Sequence, residues 1–286
     1  MDNRIQILLH IFPREIDDLD NVVTQLKVCS KYIENLSVDM NITLNLNPEI
    51  INWEESLVPK QFIIDKFNHI VTKLDWTNKN ITNIVEDTSV YGYLELRAKL
   101  TQDHPDYTGY IFLDPDMILD DRVFYFLEHS LKQIPSGSFI VSPQMYRFWD
   151  SSWDVISYDK SNSPGFDVNT FDPYDVKVLN NSNIELITNY NVKFAGGWFT
   201  YLSKELLEQV PFPEGVKGYG PEDTFISIFA RKKGFPQYII KGVVVQENRK
   251  YLNNYIYTPY IKYYSEKLKE ISEATKELFN KAINTL

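Results

Sequence analysis

The chain has 286 residues, 43% of them hydrophobic and 24% charged, which places it among folded globular proteins with a sizeable core and excludes a disordered chain. A formal net charge of −10 argues against an extended duplex-DNA surface, because such binding rests on Lys and Arg neutralising phosphates. No window approaches the roughly 20 apolar residues of a membrane span. The N-terminus carries Asp2 and Arg4 in place of a signal-peptide core, and the single cysteine, Cys29, excludes an intrachain disulfide, so the expectation is a cytoplasmic protein.

Strand and helix signals alternate along the chain as in a doubly wound α/β sheet. Arg4–Ile11 reads as a short buried strand, and Leu19–Ile33, with Val22, Val23, Leu26 and Cys29 at helical spacing, as the helix after it. Asp39–Leu46 alternates polar and apolar residues as a second strand and ends at Asn47-Pro48; Ile81–Val85 is a third strand, and Tyr91–Leu100 a helix. Tyr110-Ile111-Phe112-Leu113 is a buried strand, followed by a helix at Asp121–Gln133 and a strand at Ser138–Pro143. The long aromatic and polar stretch Tyr146–Asn183 reads as a lid. Thr224–Arg231 is apolar-periodic, Phe235–Val245 restores strand character, and the last segment turns helical, with Ile261, Tyr264, Leu268, Ile271, Ala274, Leu278 and Ala282 as one apolar stripe. The polar face of that helix mixes Lys and Glu, so the stripe is expected to dock on protein, either the same domain or a second copy in a homo-oligomer, and not on anionic lipid.

Ligands of open α/β sheets gather at the carboxyl ends of the strands, where His10 to Arg14, Asn45 to Asn47, Glu86-Asp87 and Asp114 to Asp116 fall. Asp114 and Asp116, two positions apart at the exit of an apolar strand, can face one divalent cation. Two hard oxygen ligands suit Mg2+ or Mn2+. The plainer alternative is a strand ending in a turn, since Asp and Pro both favour turns. Downstream, Gly218-Tyr219-Gly220-Pro221-Glu222-Asp223 delivers two carboxylates to a helix start, where the helix dipole also favours them. Phe194-Ala195-Gly196-Gly197-Trp198-Phe199 lies between the two motifs.

The first motif resembles the Asp-x-Asp element of GT-A glycosyltransferases. The third resembles the Gly-x-Gly-x-Glu-Asp element of family 2 and related GT-A enzymes, and the glycine pair is similar to the segment those enzymes place beside the sugars. The resemblance implies a GT-A (Rossmann-like) mixed sheet with helices on both faces, divided into a nucleotide-sugar-binding half at residues 1–120 and an acceptor and catalytic half at 121–250, with a C-terminal helical extension at 251–286. It implies a hexosyl- or pentosyltransferase using Mn2+ or Mg2+, held by Asp116 and Asp114, and a nucleoside diphosphate sugar donor. Asp223 would be the general base, with Glu222 second or serving the acceptor, and inversion at the anomeric carbon would follow. Donor nucleotide contacts would fall to His10, Phe12, Asn45, Asp87, Arg97 and Pro115, and sugar or acceptor contacts to Gly196, Gly197, Trp198 and Glu222.

Two departures stand out. The first strand lacks the family's common Pro-Thr-Tyr-Asn pattern, and no histidine follows the last strand as a third metal ligand. There Glu247 or Asn248 could supply an oxygen, or Arg249 could grip the diphosphate. The acceptor, whether glycan, lipid-linked sugar, protein or modified base, is not legible. A metal-dependent nucleotidyltransferase and a non-catalytic glycan- or nucleotide-binding module remain the alternatives; against the former, His10-Ile11-Phe12-Pro13-Arg14 contains no glycine for a phosphate loop.

Overall fold

The computed structural model describes residues 3–86, 107–146, 184–186, 197–215, 222–247 and 262–286. The expected helix at 91–100, the lid stretch beyond Tyr146 apart from 184–186, and Asp87, Arg97, Gly196, Asn248 and Arg249 lie outside them.

The strands are β1 (Asn3–Ile11), β2 (Leu36–Asn45), β3 (Ile51–Asn52), β4 (Asn80–Val85), β5 (Gly109–Phe112), β6 (Met117–Ile118), β7 (Ile140–Tyr146), β8 (Ile184–Leu186), β9 (Thr200–Ser203), β10 (Gln237–Glu247) and β11 (Lys262–Tyr263). The helices are α1 (Ile16–Cys29), α2 (Lys60–Val71), α3 (Val123–Leu131), α4 (Lys204–Leu207), α5 (Glu222–Lys232) and α6 (Ser265–Thr285). Among the described residues, nine strands form one mixed sheet in the order β4-β2-β1-β5-β9-β7-β10-β6, with β8 also on β10, and β11 pairs with β3 separately. β4, β2, β1 and β5 are parallel, and β9 runs antiparallel between β5 and β7.

Alternation along the strands sorts side chains into two cores. Ile5, Ile7, Leu9 and Ile11 of β1, Ile111 and Leu113 join a cluster under α1, α2 and α3. Leu8, Tyr110 and Phe112 join the opposite cluster under α4, α5 and the end of α6. Helices therefore cover both faces. On β2 the second face is polar instead, with Asp39, Asn41, Thr43 and Asn45 all buried and Asn83 of β4 donating to Asn41 Oδ1 and Thr43 Oγ1, each at 3.3 Å.

Several expectations shift. The first helix begins three residues early, at Ile16, and ends at Cys29, passing into a 3-10 turn at Ser30–Tyr32. Helix α2 was not expected at all, although Ile63, Phe67 and Ile70 recur at its buried face behind Pro59. Strand β9 was also missed, being only four residues long. In the last helix the expected stripe needs correction. Tyr264 precedes the helix and is 43% exposed, Ala274 is exposed, and the buried residues are Thr275 and Phe279. Pairing Lys262 with Asn52 and Tyr263 with Ile51 in β11 holds those residues extended, so the helix starts only at Ser265, while Leu278 and Ala282 of the expected stripe do pack on the second core. The docking expectation itself holds for the same chain. Leu268 and Ile271 pack on the first core, whereas Phe279 enters the second beside Phe225 at 5.3 Å. Among the described residues, no helix is long and apolar enough to cross a membrane.

Candidate active site

The parallel register aligns the carboxyl ends of β1, β2, β4 and β5, since His10 faces Thr43, Asn45 faces Val85 and Leu8 faces Phe112. Phe12, Asn45 to Asn47, Glu86 and Asp114 thus share one rim. At that rim Glu15 closes the turn after β1: its carboxylate accepts from Phe12 N–H at 2.8 Å, while its own N–H donates to Phe12 C=O at 2.9 Å. Asn45 is fully buried and its Oδ1 accepts the Asn47 N–H at 2.9 Å. His10 is 1% exposed, its ring 5.4 Å from that of Phe12. A group so buried supports the rim from beneath and does not face solvent.

Asp114 follows the last residue pair of β5 by two positions and is half-buried, Pro115 is buried, and Asp116 is half-buried in the turn that leads into β6. The Asp114 N–H donates to Gly197 C=O at 2.5 Å, continuing the β5–β9 pairing beyond its formal end. A Cβ placed on Gly197 would overlap the Asp114 carboxyl group. Only glycine permits that approach. Next to it, Phe199 has φ 151°, and Trp198, 5% exposed, donates from Nε1 to Ser142 Oγ at 2.7 Å. The indole is thus part of an interior wall, which disfavours its use as an open stacking surface.

Asp116 is fixed from the other side. β6 pairs antiparallel with β10 and sets Met117 opposite Glu247, so the backbone of that candidate ligand position lies one residue from Asp116 in the register. Gln25 of α1 also clamps this segment, donating to Met117 C=O at 3.3 Å and accepting from Leu119 N–H at 2.8 Å. Gln25 went unnoticed in the sequence because a polar residue on a helix is ordinarily a solvated one. Its one signal is that it sits beside Val22 and Leu26, on the edge of the buried face.

Glu222 and Asp223 open α5, with Glu222 4% exposed and the Asp223 carboxylate accepting from Thr224 N–H at 2.5 Å. Two residues on, Phe225 is buried in the same core as Tyr110 and Phe112. The acidic pair and the Asp-x-Asp strand are therefore built on one common core. Among the described residues no group of three or more His, Cys, Asp or Glu side chains is arranged to hold a metal. The donor set at the strand exit is two carboxylates, hard oxygen ligands that fit Mg2+ or Mn2+ with coordination positions left over for phosphate or water.

No family model and no curated protein matches the sequence. Solved structures do. The chain is similar in shape to GalNAc-T7 with UDP, GalNAc and Mn2+, at 9% identity and a TM-score of 0.50, covering 94% of this chain and 47% of that one. The chain has the GT-A fold. TarS 1-349 of S. aureus is similar at 10% identity and a TM-score of 0.47 over 86% of this chain and 60% of that one, and a mycobacterial protein at 13% and 0.47 over 87% and 69%. The GT-A chain described here thus spans about half the length of GalNAc-T7.

Proposed function

We propose that this GT-A protein is a metal-dependent glycosyltransferase that moves a sugar from a nucleoside diphosphate sugar to an acceptor hydroxyl, with inversion. The observation that carries the reading is the seating of Asp114 against Gly197 at the exit of β5, with Asp116 pinned between that contact and β6. The presence of UDP and Mn2+ in GalNAc-T7, which shares the fold, supports the donor class and the metal.

Asp116 and Asp114 would hold Mn2+ or Mg2+. Such a cation supplies positive charge against the diphosphate as negative charge grows on it. Phe12 and Asn45, at the rim of the parallel strands, and Pro115 would line the nucleotide, joined by Asp87 and Arg97. Gly196 and Gly197 would border the sugar, with the buried Trp198 as the wall behind them. Glu247, Asn248 or Arg249 would complete the diphosphate side. Transfer breaks the anomeric C–O bond, and its electron pair leaves with the diphosphate. The acceptor oxygen forms the new bond from the opposite face and gives its proton to Asp223, with Glu222 binding the acceptor or taking that role. A carboxylate fixed at a helix start, as Asp223 is by Thr224, stays oriented for that transfer.

The test is a panel of sugar nucleotides with Mn2+, read by thermal shift and by donor hydrolysis. Stabilisation by one or more donors, with release of nucleoside diphosphate, supports the reading. Stabilisation without any turnover points to a binding module, and release of inorganic pyrophosphate from nucleoside triphosphates to a nucleotidyltransferase.

A further inference from the structure

The segment Gly197-Trp198-Phe199 touches Asp114 and is held by more than its sheet pairing. Phe199 occupies a φ of 151°, a region that L residues rarely adopt and that persists only where the surroundings over-determine it. Two anchors flank the strained residue. The Phe199 ring meets Phe124 of α3 edge-on at 5.7 Å, and the Trp198 indole N–H donates to Ser142 Oγ of β7, whose hydroxyl in turn donates to Pro143 C=O at 3.0 Å. Ser142 is fully buried and Trp198 nearly so. A buried indole donor must find an acceptor, and Ser142 supplies it across the sheet.

We infer that Ser142 and Trp198 are positioning residues for Asp114: their hydrogen bond fixes the strained turn, and the turn, through Gly197, fixes where the Asp114 carboxylate stands. The inference rests on the metal role proposed for Asp114. Neither residue touches the metal or the donor in this scheme. Outer-shell partners that orient a ligating carboxylate typically alter metal affinity by 10- to 100-fold when removed.

The experiment titrates Mn2+ into purified protein in the presence of UDP, by calorimetry or by the electron paramagnetic resonance of free Mn2+, for the wild type, Ser142→Ala, Trp198→Phe and the double variant. Thermal midpoints are measured alongside. The expected result is roughly tenfold weaker Mn2+ binding in each single variant and no further loss in the double, because both substitutions break one interaction. A merely structural role would lower the midpoint and leave Mn2+ affinity of the folded protein unchanged, and that outcome overturns the inference. So does a double variant whose losses multiply. Ser142→Ala removes a single oxygen atom, so it carries the test if Trp198→Phe fails to fold. Wild-type protein that binds no Mn2+ would instead refute the metal reading of Asp114.

Discussion

The backbone N–H of Asp114 donates to the carbonyl of Gly197, and the Gly197 Cα lies so close to the Asp114 carboxyl group that no side chain fits between them. Two positions 83 residues apart in the chain are in this way one structural unit. Gly197→Ala should therefore push the carboxylate aside. We expect turnover to fall at least about tenfold and the Mn2+ requirement to rise, with an overpacking cost of about 1–3 kcal/mol. Steady-state kinetics across a Mn2+ series, with urea unfolding in parallel, separates the two effects.

Asp116→Ala should abolish metal-dependent donor binding and nearly all turnover. Gln25→Ala should do so partially, because it releases the clamp on Met117 and Leu119 without removing a ligand. Calorimetric titration of UDP with and without Mn2+ checks both. Wild-type behaviour of Asp116→Ala would remove the central claim.

Asp223→Asn should keep donor affinity and lower the transfer rate by about a hundredfold or more, the scale for loss of a general base. If donor binding fails while the rate constant survives, the base is to be sought at Glu222.

Glu128 predicts the acid limit of the fold. Burial alone would raise its carboxyl, but the N–H groups of Asn35 and Glu34, the Asn35 amide and the Lys132 ammonium outweigh that and hold it at about 2, against an ordinary 4.5. A carboxyl depressed on folding contributes stability that is complete above the unfolded value and disappears as pH falls through the folded one. The contribution should thus be lost between about pH 4.5 and pH 2 and amount to about 3 kcal/mol at neutral pH. Glu128→Gln should lose stability at pH 7 and show a flatter dependence across that window, by urea unfolding at several pH values.

Phe279→Ala should destabilise by about 3–5 kcal/mol, the range for truncating a buried phenylalanine, and removal of residues 249–286 should give an aggregating protein. A soluble truncation together with binding of the full chain to anionic liposomes would overturn the docking of α6.

The parallel half of the sheet was legible because its strands are continuous apolar or alternating runs bounded by Asn, Pro and Asp, and because Asp114 and Asp116 mark a strand exit. Helix α2, in which only Ile63, Phe67 and Ile70 are buried, was hidden by a preceding stretch of Glu, Ser and Pro that reads as loop. Strand β9 was hidden by its brevity, and β11 because pairing with β3 is a tertiary event that overrides the helical spacing of Tyr264 with Leu268. The close fit of Gly197 on Asp114 has a sequence trace in the glycine pair, and Gln25 has only its place beside Val22 and Leu26, but Ser142 has none: a serine before a proline acquires its meaning only from what packs against it.

The placement of β9 between β5 and β7 sets the order in which this chain can be made. When β5 leaves the ribosome its wholly buried residues Gly109–Phe112 have a partner on one side only, and the strand that will cover the other edge is still unsynthesised. At ~5–20 residues per second that open edge persists for several seconds, during which a nascent α/β half-sheet offers unpaired backbone to its neighbours. Synthesis rate and chaperone occupancy, more than the stability of the finished fold, should therefore govern how much of this protein survives expression.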